Sequence, residues 1–275
     1  MHRDVSIHVG VNHPAGTFDR LWKSEETAWK LAELSFQAGY RAIHVLCGPQ
    51  ATREAVGTLL AGTARALRPG HTLFVSFSGH GSRVPDDNGD ERDCLDETWC
   101  LHDGELVDDT LADYWRLMAP GTRALVVADC CFAGGTAREG VLPMAWSRVQ
   151  APGAWDGPVY RPGRGGGVRG VIQTPVQPVL RPPDHDDGIR ASVLLLAATS
   201  EAQRAREGVY VRHLLEVWAG GAFRGSFYEL HRKVSDRVRH ETHGQDPQIR
   251  LLGAADLSFP LEVAFHLNGR RRTGE

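Results

Sequence analysis

The 275-residue sequence has no long hydrophobic run. Its longest apolar stretches, residues 124–128 and 193–198, fall far short of the roughly 20 residues that a membrane-spanning helix needs. It has little charge excess either. Lys and Arg number 31 against 34 Asp and Glu, a net charge of -3, so nothing carries the basic footprint of a nucleic-acid binder. A disulfide framework is also missing. The five cysteines (Cys47, Cys94, Cys100, Cys130 and Cys131) are odd in number, two are adjacent, and no spacing matches a zinc site. Met1-His2-Arg3-Asp4 leads straight into a strand-like run without the apolar region of a signal peptide, so the expected compartment is a reducing cytoplasm, where a thiol stays nucleophilic. No internal repeat is visible. No Gly-x-Gly-x-x-Gly follows the first strand, which reads Gly10-Val11-Asn12-His13, and no Walker A lysine motif occurs; both absences argue against nucleotide binding.

What the chain does have is the balance of a globular domain, 41% apolar and 24% charged residues, and enough length to bury a sizeable core. Short apolar runs alternate with helical patterns. Residues 5–11, 42–46, 73–77, 124–128 and 193–198 read as strands. Residues 25–38, 52–67, 109–118, a portion of 201–219, and 227–240 carry apolar side chains at helical spacing, as Leu230, Val234 and Val238 illustrate. That order predicts an α/β fold with a mainly parallel central sheet flanked by helices on both faces. Two segments interrupt it. Residues 83–102 are rich in Asp and Glu. Residues 136–190 are rich in Gly, Pro and Arg around Gly163-Arg164-Gly165-Gly166-Gly167, and a connection that long is usually functional or disordered. The chain is therefore expected to form a single domain over residues 1–275. Within it, residues 1–135 make a larger front section, residues 136–190 a flexible insertion and residues 191–275 a smaller rear section.

In parallel sheets, sites form beyond the carboxyl ends of strands. The run 73–77 ends in Ser78-Gly79-His80-Gly81, and the run 124–128 ends in Asp129-Cys130-Cys131-Phe132-Ala133-Gly134. If these strands are neighbours, His80 and Cys131 face one another, and an imidazole beside a thiol supplies the thiolate that cysteine hydrolysis needs. The amides of Gly81 and Cys131 are then placed to form an oxyanion hole. A lone His is more often structural than catalytic, and a buried Cys is more often a small hydrophobe. Two such motifs at two strand ends are harder to assign to chance. Cys131 is preferred over Cys130 because a residue one place earlier points elsewhere on the turn.

The two boxes resemble the His and Cys boxes of the metacaspases, caspase-like cysteine peptidases. Their separation of 51 residues agrees with the spacing of about 50 found in caspases. Asp90-Glu91-Arg92-Asp93-Cys94-Leu95-Asp96-Glu97 with Val107-Asp108-Asp109 is similar to the segment between the boxes in that family. Ala197-Ala198-Thr199-Ser200-Glu201-Ala202-Gln203 and Gln245-Asp246-Pro247-Gln248 resemble its rear elements. The resemblance implies a caspase-like fold and an endopeptidase cleaving protein or peptide substrates after Arg or Lys; the charge balance and short apolar runs give no expectation of a nucleic-acid or membrane partner. It places Asp129 and Ser78 in the S1 pocket. The family's other pocket acid lies where this chain has Thr27, with Glu25 and Glu26 beside it. It also implies Ca²⁺ as an activating ion at Asp96, Asp108 and Asp109, whose hard oxygen ligands suit that metal, although a solvated acidic loop is a close competitor. Phe132 and Ala133 depart from the family's His-Ser after the Cys. Arginines of the insertion are candidate self-cleavage sites, Arg164 and Arg169 first because glycine follows each. The alternative is a catalytically silent caspase-fold interaction module.

Overall fold

A computed structural model describes residues 4–16, 18–86, 94–131, 188–200, 203–254 and 256–267. The central sheet is built from β1 (Val5–Gly10), β2 (Ala42–Cys47), β3 (Thr72–Ser78), β7 (Arg123–Asp129), β8 (Ser192–Ala197) and β9 (Gln248–Gly253) in the order β2-β1-β3-β7-β8-β9. The first five strands run parallel, and β9 closes one edge antiparallel to β8. A second, antiparallel sheet joins β4 (Gly81–Pro85), β5 (Leu95–Leu101) and β6 (Gly104–Val107). Its strands occupy much of the acidic stretch that the sequence presents as an interruption.

The central strands are largely apolar because helices cover both faces, and alternate side chains feed two cores. Ile7, Val9, Val75, Phe77 and Val126 pack with Leu60 of α2 (Arg53–Ala66) and Leu111 and Trp115 of α3 (Asp108–Arg116). Phe74, Leu125, Val127 and Leu194 pack with Leu31 and Leu34 of α1 (Ser24–Ala38), Leu214 of α4 (Val209–Trp218) and Leu230 and Val234 of α5 (Phe227–Thr242). Fully burying each such side chain contributes about 1.5–3 kcal/mol. His8 lies within the second face, its Nδ1 2.8 Å from Ser76 Oγ and its Nε2 2.9 Å from Ser35 Oγ. Burial pushes its pKa down to about 3, so it is a neutral core residue with both nitrogens satisfied.

Helix starts follow the sequence. Thr52 caps α2 by accepting from the Ala55 amide at 3.1 Å. Ser226 and Glu229 form a reciprocal capping box at the start of α5. Observed boundaries fall within one or two residues of the sequence expectation for most of these elements. Within the central sheet, β9 is the strand without a strand-like reading beforehand. Among the described residues, no helix is long and apolar enough to cross a membrane. The sheet is continuous across the insertion, because β7 pairs directly with β8.

Candidate active site

Strands β1, β3 and β7 stop level with one another, since Gly10 pairs with Ser78 and Ser78 with Asp129. From that edge the chain leaves β3 through Gly79-His80 into β4, and leaves β7 through Cys130-Cys131. The two boxes meet backbone to backbone. A Cβ on Gly81 would lie 2.1 Å from the Cys131 carbonyl oxygen, so only glycine permits the approach. The His80 carbonyl accepts from the Cys100 amide at 3.0 Å, which makes the next pair, Gly81 with Trp99, a non-hydrogen-bonded one. The Gly81 N–H therefore points out of the β4–β5 ladder.

His80 is half-buried, and a loop before α1 fixes its ring. Phe18 stacks on it at 5.1 Å between centroids, and Nε2 lies 2.7 Å from the Asp19 carbonyl oxygen. A carbonyl only accepts, so Nε2 carries the proton and the lone pair of the neutral ring sits on Nδ1. The loop itself is pinned where the Ala15 amide donates to Leu101 O at 3.2 Å and the Leu21 amide to Asn12 O at 3.0 Å.

The sulfur of half-buried Cys131 accepts from the Ala205 amide at 3.3 Å. Cys130 is sealed in, 1% exposed, and burial pushes its thiol well above the ordinary cysteine value. Burial likewise raises Cys100 to about 12 and Cys47 to about 11, so none of these three is an apt nucleophile. The segment that touches Cys131 is braced from behind. Gln245 donates to Ala198 O at 2.8 Å and accepts from the Arg206 amide at 3.0 Å, and Gln203 accepts from the Asp246 amide at 2.8 Å.

Beneath the edge lies Asp129, 4% exposed. Burial pushes its carboxyl up to about 7; the Val211 amide offsets this in part, and the charge of Glu207 raises it further. Among the described residues neither of its oxygens has a partner within hydrogen-bond geometry, and the Ser78 hydroxyl on the adjacent strand has none either. The acids near Thr27 are engaged elsewhere. Glu25 Oε1 is 3.4 Å from the Asn12 amide, Glu26 pairs with Lys30 at 2.6 Å, and Thr27 itself is buried against Gly208.

Asp96 on β5 and Asp108 at the start of α3 are both buried, and Asp109 follows. Pairing of Thr98 with Val107 brings the three to one end of the small sheet. Among the described residues no three His, Cys, Asp or Glu side chains are grouped to hold a metal ion, so these aspartates are not by themselves a ligand set. The neighbouring acids Asp87, Asp90, Glu91 and Asp93 lie outside the described residues, as do Phe132, Ala133, Arg164 and Arg169. Sequence reasoning missed Phe18, Asp19, Ala205 and Glu207. Asp19 and Ala205 act through backbone atoms, which leave no side-chain signal to find.

His80 and Cys131 thus follow the ends of the adjacent parallel strands β3 and β7, next to the buried Asp129. The profile of the caspase domain, Peptidase C14, matches residues 21–255, and the chain belongs to that family. Metacaspase-1B of Aspergillus fumigatus is 40% identical over 85 residues, 29% of this chain and 20% of that protein. Metacaspase-7 of Arabidopsis thaliana is 33% identical over 107 residues, 38% of this chain and 26% of that protein. The matched stretches thus span only a fifth to a quarter of these relatives. Among solved structures, a Geobacter sulfurreducens protein has a TM-score of 0.70 at 23% identity, with 96% of this chain and 99% of that one covered. Caspase-1 of Spodoptera frugiperda has a TM-score of 0.56 at 13% identity, with 100% and 92% covered. These structural likenesses establish the caspase fold.

Proposed function

We propose that the chain is a cysteine endopeptidase that cleaves after Arg or Lys, with Cys131 as nucleophile and His80 as its base. The observation that carries this reading is the contact of the two boxes, Gly81 against the Cys131 carbonyl, with His80 held so that its free lone pair is on Nδ1. In the reaction His80 Nδ1 takes the thiol proton, and the sulfur attacks the carbonyl carbon after the P1 residue. The amides of Gly81 and Cys131 receive the developing oxyanion. The C–N bond breaks, the leaving amine takes the proton from His80, and water then hydrolyses the thioester.

Asp129 supports the basic P1 preference. A buried carboxylate and a buried hydroxyl on Ser78, neither with a hydrogen-bond partner among the described residues, fit a guanidinium or ammonium that supplies the missing donors. The reading also includes Ca²⁺ near Asp96, Asp108 and Asp109 as an accessory ion; no step of the chemistry runs through it. Cleavage of fluorogenic peptides by wild type, Cys131→Ala, His80→Ala and Cys130→Ala tests the proposal. The expected result is activity on Arg and Lys substrates, abolished by the first two substitutions and kept at least in part by the third. Turnover undiminished in Cys131→Ala sinks the assignment, and no hydrolysis of any peptide by wild type favours a silent interaction module.

A further inference from the structure

The segment that touches the nucleophile continues into a second acid. Two residues beyond Ala205, Glu207 leads into α4 through Gly208, and its Oε1 accepts from the Trp22 amide at 2.7 Å and from the Lys23 amide. No described residue bonds its Oε2. Glu207 lines a cavity of about 610 Å³ between α1 and α4, together with Thr27 and Val211. The Val211 amide lies against Asp129, and the Glu207 charge is felt by the Asp129 carboxyl. Four cations also line this cavity. Lys30 is held by Glu26, and Arg212 by Glu216 and Glu241; the other two, Lys23 and Arg206, are exposed.

We infer that Glu207 is a second specificity-determining carboxylate for the basic P1 side chain, with one oxygen anchoring the entrance of α1 and the other left to meet the incoming cation. This rests on the basic specificity proposed above. The anchor matters because a carboxylate fixed by two backbone N–H groups needs no reordering when the cation arrives. The partly exposed Glu207 meets it first, and the buried Asp129 lies deeper.

The arrangement has a signature in pH. The groups facing Asp129 are Glu207 from the segment entering α4, Tyr210 in the first turn of α4, and Cys130, which follows Asp129 at the end of β7. Negative charge on Glu207 opposes ionisation of Asp129, so removing that charge lets Asp129 ionise at lower pH. The substitution Glu207→Gln keeps a carbonyl oxygen to accept from Trp22 and Lys23, so the loop stays anchored while the charge is lost.

The test is calorimetric titration of agmatine, a small guanidinium probe, into Cys131→Ala protein from pH 6 to 9. Agmatine should bind, with affinity rising as pH passes through neutrality. Adding Glu207→Gln should weaken binding at pH 8.5 by about tenfold, as expected for loss of one charge-assisted contact. It should also move the midpoint of the pH dependence downward. Binding within twofold of the parent with an unmoved midpoint overturns the role of Glu207 and leaves basic P1 selection standing. No agmatine binding by the parent overturns both.

Discussion

Replacing Gly81 by Ala puts the contact between the two boxes under direct strain. The backbone of Gly81 is not in the left-handed region, so the added methyl costs nothing in φ. Its cost is steric: the new Cβ would sit 2.1 Å from the Cys131 carbonyl oxygen and 3.1 Å from its carbon. Non-bonded carbon and oxygen need about 3 Å or more, so one backbone must retreat by about 1 Å. Both lie at strand ends, and β3 pairs with β7 along seven residues, so the retreat falls on the loops that carry His80 and Cys131. A displacement of that size within reacting groups costs about 100-fold in rate, and the Gly81 amide proposed for the oxyanion hole moves with it. The expected result is a fall of about 100-fold or more in kcat/KM on an Arg peptide, with unchanged circular dichroism. Gly62→Ala is the control. Nothing lies within 4 Å of a Cβ there, in the middle of α2, so it should keep full activity and gain up to about 1 kcal/mol of stability. A Gly81→Ala enzyme within threefold of wild type would falsify the proposed contact between the boxes as part of the catalytic geometry.

Asp129 predicts a pH effect on stability. Its carboxyl rises from 3.8 to about 7 on folding, so the empty protein is unpenalised below pH 4 and loses stability as the pH climbs through 7, by at most about 4 kcal/mol. In Asp129→Asn that loss should vanish, and Tm against pH for the two proteins should diverge above pH 5; parallel curves refute it. Self-cleavage is expected after Arg164 or Arg169, because tethered arginines are present at high effective concentration. Sequencing new N-termini from wild type and Cys131→Ala decides this, and identical fragments from both exclude autolysis. Calcium at about millimolar levels should raise activity and Tm, and Asp96→Asn should abolish the response. Equal activity and Tm with calcium and with chelator remove the ion from the reading.

The strands were legible because burial on both faces leaves them mostly apolar: 73–77, with Ser76 its one polar residue, and 124–128 need no partner to be recognised. The two boxes were legible because they follow those runs directly. The small sheet was hidden by its acidic side chains. Asp96 and Glu97 read as loop residues, yet Asp96 is buried, and Glu97 is buried on β5 beside Arg83 at 3.2 Å. Strand β9 carries Arg250 within its apolar run, a polar residue that the surrounding fold buries to 6% exposure. The contacts of Phe18 and Asp19 with His80 were beyond reach for a different reason. They depend on how a loop folds over a site 61 residues away, and one of them uses a carbonyl that every residue owns.

The site is stitched from distant stretches of chain: 61 residues separate Asp19 from His80, 74 separate Cys131 from Ala205, and 185 separate Trp22 from Glu207. Contacts of such range form late in folding, after the local elements have condensed. During synthesis the front section emerges first, with His80 and Cys131 already exposed, but the peptide that positions the sulfur and its Gln245 brace follow only later. On the proposed mechanism, a nascent chain would therefore lack the peptide that holds the sulfur until nearly the whole sheet has assembled, and activity would be withheld until then.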